Sequence, residues 1–214
     1  ISLSAEGLQR NINKLGEYCK KWKLRINTQK TKILIFNKQM GQCGINFYFD
    51  GQKLEIANEY KYLGVMLTAD CRQSTARENI YARASRALFK LKGCIKQVNL
   101  NPRLGMKLFD QLIRPICMYG SEIWGYTKIT EKQMKNQEWM ERNYEKYPVE
   151  KLNISFCKFL LGVNKKATNA AVMGELGRYP LGVQIVQSII KYYKHLEQTE
   201  NELLKNAKDR KSVV

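Results

Sequence analysis

Apolar positions along the first third of the chain switch from a helical to an alternating period. Between Ser4 and Trp22, Leu8, Ile12, Leu15, Cys19 and Trp22 recur every three or four residues, which predicts an amphipathic helix with Ser4 as its N-cap. Leu24-Arg25-Ile26 leads into a turn at Asn27–Lys30 and the β-favouring run Ile33–Phe36. Ile45, Phe47 and Phe49 alternate with Asn46 and Tyr48. Asp50-Gly51 then supplies a tight hairpin turn, with Leu54 and Ile56 on the return strand. Tyr60 to Leu67 reads as one more short strand. The expectation for this third is a helix on a small antiparallel sheet.

After about residue 72 the period is helical. Ile80, Ala84, Ala87, Leu88, Leu91 and Ile95 trace one face, and Asn101-Pro102 opens a second helix at its cap and first turn. Leu104, Leu108, Leu112 and Ile116 are the predicted buried stripe of that helix. Helical patterns continue through 134–140, 152–161 and 183–204, punctuated by Gly162, Gly177 and Pro180, and the tail from Lys205 is expected to fray. The fold class is therefore α+β: a small antiparallel sheet with a helix, followed by a mostly helical remainder.

Charge sharpens this picture. The net charge is +18 and the pI about 9.7. Residues 71–130 carry a net +8, against +5 in each flanking part. A polyanion is the natural partner of such a chain, and nucleic acid is the commonest one. An anionic membrane is the rival, but no stretch resembles a transmembrane helix or signal peptide. With 44% hydrophobic residues, twelve Tyr and seven Phe, the composition suits packed cores. The six cysteines form no Cys-x-x-Cys motif. Cys19, Cys94, Cys117 and Cys157 read as buried, reduced thiols of an intracellular protein. His195 has no ligand-spaced neighbour and reads as a residue on a polar helix face.

The best candidates for phosphate contact are Arg77, Arg83, Arg86, Lys90, Lys92 and Lys96, a helical run in which Glu78 is the one acid; Arg103 and Lys107 extend it. The competing reading is a solvated face. Trp124, Tyr126, Trp139, Tyr144 and Tyr147 could stack on bases, but core packing is the commoner use of such residues. No Asp-Asp or Asp-x-Asp occurs, and Asp50, Asp70, Asp110 and Asp209 are scattered singly, as turn-formers or surface residues. No metal site is expected.

Four segments in order carry a family resemblance. LQRNINKLGEYCKKWKLRINTQKTKILIF, from Leu8 to Phe36, is similar to the palm region after the catalytic strand of LINE-type (non-LTR) retrotransposon reverse transcriptases. Trp22, Leu24, Ile26, Asn27, Lys30, Thr31 and Lys32 stand at the matching positions. Tyr62-Leu63-Gly64 resembles the hairpin called the primer grip. IRPICMYGSEIWG, from Ile113 to Gly125, resembles the end of the thumb, and FCKFLLGVNKKATNAAVMGELGRYPL, from Phe156 to Leu181, the segment beyond it.

The resemblance implies a distal palm at 1–70 with the primer grip, a helical thumb at 71–128 and a helical post-thumb extension at 129–214. The parent activity is RNA-directed DNA polymerase, and the Tyr-x-Asp-Asp turn of the family is expected just upstream of Ile1. Mg²⁺ is then a cofactor of the intact parent enzyme alone, and none is expected in this chain. Lys30 is a proton donor to leaving pyrophosphate in that intact enzyme, or else a solvated turn lysine. Tyr62–Gly64 is the primer grip, or else a strand bulged at Gly64. The partners implied are an RNA template/DNA primer duplex and the remainder of the polypeptide, in a nuclear or cytoplasmic ribonucleoprotein, with no membrane. The alternative is a non-catalytic nucleic-acid-binding remnant of a degenerate or host-retained element. A helical structural protein with incidental charge is a third reading.

Overall fold

The computed structural model describes residues 1–36, 44–98, 100–125 and 147–199. Backbone contacts divide the chain into two units, residues 1–75 and 76–214. The expected boundary at 128/129, the 134–140 helix, Cys43, Asp209 and the tail from Lys205 lie outside the described residues.

In the first unit, helix α1 (Ala5–Trp22) starts where the Ser4 hydroxyl accepts from the Gly7 amide at 3.1 Å. It is clasped to strand β2 (Tyr48–Phe49) by one side chain. The Gln9 amide donates to the Tyr48 carbonyl at 2.8 Å and accepts from the Tyr48 N–H at 2.9 Å, as a neighbouring strand would. Beneath it, Ile33, Phe47 and Leu54 form the buried core, with Leu8 and Ile12 packed on them. The predicted apolar stripe of α1 is only partly used: Cys19 is buried, whereas Leu15 and Trp22 are exposed, as is the neighbouring Tyr18.

Strand β2 turns through Asp50-Gly51 into β3 (Gln52–Lys53), with φ of 47° and 79° at the two turn residues. Two consecutive positive φ values make this the hairpin turn that matches strand twist. The single antiparallel sheet expected here is replaced by three two-stranded pairs, one of them parallel. After β3, the Leu54 amide still bonds the Phe47 carbonyl at 2.8 Å. The chain then crosses to pair β4 (Glu55–Ala57) in parallel with β1 (Lys32–Leu34), Ile56 opposite Ile33. The predicted single strand Tyr60–Leu67 is itself a hairpin, β5 (Glu59–Tyr62) and β6 (Val65–Thr68), turning at Leu63-Gly64.

The second unit is helical throughout its described residues. Helix α2 (Ser74–Val98) buries Ala76, Ile80, Ala84, Leu88, Leu91 and Ile95, the predicted stripe with Ala76 added and Ala87 only half-buried. Asn101 caps helix α3 (Pro102–Leu108) by accepting from the Arg103 amide at 2.8 Å. A π-helical turn (Phe109–Ile113) and α4 (Arg114–Met118) continue it. The buried stripe is Gly105, Phe109, Ile113 and Cys117, one residue on from the expected one; Leu104 and Leu112 are exposed. Both stripes are apolar at spacing four, and burial goes to the one that holds Phe109, stacked on Phe156 at 4.9 Å. A strict spacing of four outruns the 3.6 residues of an α-turn by about one residue over three steps. The wider π-turn absorbs that residue, immediately before Pro115, which cannot donate to a preceding carbonyl.

Helices α5 (Ser121–Trp124), α6 (Pro148–Leu160), α7 (Asn169–Glu175) and α8 (Leu181–Gln198) complete the unit. Trp124 is buried edge-on to Tyr147, and its indole N–H donates to the Tyr119 carbonyl at 2.7 Å. The Tyr147 hydroxyl donates to the Gly125 carbonyl at 2.8 Å. These two aromatics are core residues; Tyr126, Trp139 and Tyr144 lie outside the described residues.

Glu150 on α6 is buried. Its carboxylate accepts from Asn153 Nδ2 at 2.8 Å and from the Gly182 amide at 3.0 Å, at the start of α8. Burial pushes its pKa up, against the opposing pull of those donors and of Arg178. Arg178 donates to Asn153 Oδ1 at 2.8 Å, contacts both carboxylate oxygens of Asp110 at 3.1 and 2.9 Å, and lies over the Phe109 ring. Asp110 is thus the half-exposed end of a network that runs into the core, where a plain turn or surface residue was expected. Cys117 and Cys157 lie beside it, fully buried, and burial raises their pKa values to about 12 and about 11. Cys19 is also buried, whereas Cys94 is exposed, against expectation; it falls off the Ile80–Ile95 stripe. Among the described residues, no helix is long and apolar enough to cross a membrane.

Two glycines mark close approaches. A Cβ on Gly125 would collide with the Ser121 carbonyl and Ile185 Cγ2, whereas one on Gly105 meets the movable Leu160 Cδ2 at 2.7 Å. Gly125→Ala should cost about 1–3 kcal/mol by overpacking and Gly105→Ala clearly less. Urea midpoints at constant slope measure both; a Gly125→Ala protein as stable as the parent contradicts the packing described.

Candidate nucleic-acid interface

The two groups of candidate residues occupy different units. In the first, Asn27 organises the turn that carries Lys30. Its side-chain and backbone oxygens each accept from the Lys30 amide at 3.1 Å, and its carbonyl accepts from the Thr31 amide at 3.0 Å. This local bonding explains an Asn followed by Lys-Thr at that spacing. Lys30 itself is exposed.

Tyr62, Leu63 and Gly64 form the tip of the β5–β6 hairpin, with Tyr62 opposite Val65. The structure therefore has a two-residue turn where a bulged strand was the alternative. Leu63 has φ of 46° and Gly64 of 85°. A left-handed conformation costs an ordinary L-residue roughly 1–2 kcal/mol, and Asn or Gly is the usual occupant of this turn position. Leu63 is nevertheless 73% exposed and Tyr62 58% exposed. A left-handed apolar residue held out in solvent is a local conflict between residue type and backbone conformation.

In the second unit, the basic residues of α2 separate on two flanks of the helix, as 100° per residue dictates. Arg83, Arg86 and Lys90 share one flank; Arg86 and Lys90 are exposed and Arg83 half-buried. Lys92 and Lys96 lie on the other, over the Phe159 ring at 5.2 and 5.9 Å. Lys92 is tied down: its ammonium donates to Ser155 Oγ at 3.0 Å. Burial, then the nearby Lys165 and Lys96 charges, push its pKa down. Arg77 turns inward. Its Nε donates to the Trp124 carbonyl at 2.9 Å and its guanidinium lies over Tyr147, so it joins α2 to α5. Arg103 and Lys107 are exposed on α3. Among the described residues, no group of three or more His, Cys, Asp or Glu is placed to hold a metal ion.

Sequence reasoning passed over Gln9, whose clasp ties β2 to α1, and the lysines of α6 and its following loop. Gln9 carried no signal beyond its place in the Leu8–Phe36 segment. The α6 lysines, Lys151 and Lys158, stand seven residues apart beside Glu150 and so form no conspicuous basic run.

No protein-family model matches the chain. It is 27% identical over 127 residues to the probable RNA-directed DNA polymerase from transposon BS of Drosophila melanogaster, covering 57% of this chain and 14% of that protein. It is 27% identical over 128 residues to a putative uncharacterized transposon-derived protein of Caenorhabditis elegans, covering 58% of this chain and 44% of that protein. The chain thus spans well under two thirds of either relative. No solved structure matches it. These relatives agree with the resemblance to retrotransposon reverse transcriptases carried by the sequence motifs.

The hairpin tip gives a direct test of strain. Leu63→Asn should raise stability by about 0.5–1 kcal/mol, because Asn accepts the left-handed conformation. A thermal melt reads this as an upward shift of a few degrees; a lower melting temperature contradicts the turn geometry.

Proposed function

We propose that this distant relative of transposon-encoded RNA-directed DNA polymerases is the nucleic-acid-binding palm and thumb portion of a LINE-type retrotransposon reverse transcriptase. The first unit is the distal palm, the Tyr62-Leu63-Gly64 tip its primer grip, and α2–α5 the thumb. The observation that carries this reading is the strained, exposed Leu63 at the tip of a hairpin: the motif lies where a nucleic-acid strand can reach its backbone. The α2 flank of half-buried Arg83 and exposed Arg86 and Lys90 supports it, with Arg103 and Lys107 on α3 as an extension.

The partner is an RNA template/DNA primer duplex, bound through phosphates and without sequence reading. The exposed Leu15, Tyr18 and Trp22 of α1 suit packing against the remainder of the reverse transcriptase polypeptide. Lys30 has a role in pyrophosphate departure only in that intact enzyme, where Mg²⁺ would be held by carboxylates that this sequence lacks. The work takes place in an intracellular ribonucleoprotein. A non-catalytic remnant of an element would bind in the same way; what separates the two is whether metal-holding aspartates accompany this segment in the full polypeptide.

Two outcomes are expected. Purified chain with primed template, dNTPs and Mg²⁺ should extend no primer, and templated extension above a no-protein control contradicts the catalytic part of the proposal. Affinity for a hybrid duplex should fall with salt by roughly 0.9 log unit per log unit of salt for each phosphate neutralised, taking the B-DNA coefficient. Replacing Arg83, Arg86 and Lys90 together by Gln should lower that slope by about 2.7. The control triple Lys205, Lys208 and Lys211→Gln, which removes equal charge, should lower it less. Equal losses in the two triples, read by fluorescence anisotropy, would reduce the α2 flank to a solvated face.

A further inference from the structure

A cleft of about 530 Å³ opens beside α6 in the second unit, lined by residues of α2, α6, the following loop and the start of α7. Lys92, Lys151, Lys158 and Lys165 surround it, Ile154 and Phe159 supply an apolar wall, and no carboxylate lines it. Among the described residues, none of these four lysines is ion-paired.

The arrangement is held from several sides. The Lys92 ammonium is fixed by Ser155 Oγ at 3.0 Å, and the Lys158 ammonium by the Lys165 carbonyl at 2.7 Å. Helix α6 ends in a left-handed Gly162, with the Val163 amide returning to the Lys158 carbonyl at 3.1 Å. The Asn164 side chain accepts from the Lys166 amide at 2.9 Å, so the loop that presents Lys165 is tied by its own bonds. Lys151 and Lys165 are exposed. Lys96 adds a fifth charge, above the same Phe159 ring.

Like charges gathered without acids repel one another; the Lys92 pKa is lowered first by burial and then by the Lys165 and Lys96 charges. An anion in the cleft removes that repulsion. Lysine ammoniums act as point charges that meet phosphate from varied directions, which suits a backbone better than one rigid headgroup.

We propose that this cleft is a phosphate-binding site for the nucleic-acid backbone, a second contact surface beyond the Arg83–Lys90 flank. The assignment rests on the nucleic-acid reading above and deepens it, by placing phosphate contacts on the segment after the thumb.

The test uses the full 214-residue chain, a short RNA/DNA hybrid and inorganic tripolyphosphate. Lys151→Gln with Lys165→Gln should leave the circular-dichroism spectrum and melting temperature unchanged, since both side chains are exposed. It should lower the salt slope for the hybrid by about 1.8, and tripolyphosphate should displace hybrid from it less effectively than from the parent chain. Should the double variant not fold, Lys165→Gln alone, in the loop, should lower the slope by about 0.9. An unchanged slope in folded variants, with the parent chain binding normally, overturns the cleft and leaves the proposed function standing. A parent chain that binds no nucleic acid overturns both. If it then binds tripolyphosphate through Lys151 and Lys165, the site serves a free polyphosphate and the backbone assignment is wrong.

Discussion

Helix α8 begins directly after a proline, and Pro180 has no side-chain oxygen with which to cap it. The first amides of that helix are buried, where an unmatched N–H is costly. Glu150, far away in sequence on α6, supplies the missing acceptor. That substitution of one helix's side chain for another's cap brings an ionisable carboxyl into the core, and its burial then has to be offset. Asn153 and Arg178 do so, and Arg178 in turn engages Asp110 in the π-turn. One chain of polar contacts thus joins α6, α8, the segment before α8 and the α3–α4 helix. Losing either end of it leaves a partly buried charge unmatched, which is far more damaging than losing a surface ion pair.

The first unit solves a different problem with fewer resources. Among the described residues its strands are two to four residues long and pair in twos, so little ladder bonding holds them. Gln9 compensates by pairing its amide with both backbone groups of Tyr48, converting a helix side chain into a strand partner. Two turns with paired positive φ values then fix the register of the hairpins. The first uses Asp-Gly, which suits the geometry; the second uses Leu-Gly, which does not. That contrast within one small unit is the physical basis for the contact role proposed for the second turn.

Local signals were legible in the sequence, and nonlocal ones were not. Ser4, Asn101-Pro102 and Asp50-Gly51 act within three residues, and each does what its chemistry dictates. The α2 stripe was readable because its apolar residues have no rival face. The next helix offers two apolar stripes one residue apart, and only the stacking of Phe109 on Phe156, 47 positions later, decides between them. Parallel pairing of β1 with β4 was hidden for a similar reason, since it joins residues more than twenty positions apart. At the candidate interface, the basic run was legible as a run but not as two flanks with a different fate for each end. Arg77 goes to Trp124, and Lys92 goes to a cleft whose other lysines lie more than fifty residues on.

The cysteines give the molecule a built-in clock. A thiol reacts with alkylating reagents as its thiolate, and Cys117 and Cys157 are both enclosed and pushed to about 12 and about 11. In the closed state neither offers a usable nucleophile at neutral pH. Exposed Cys71 and Cys94 have no such protection. Reagent added to the native protein therefore consumes those two promptly, while labelling at Cys117 and Cys157 waits for the helices around Glu150 and Arg178 to part. The lag at those two positions measures how often the second unit opens, and the buried Cys19 keeps separate time for the first.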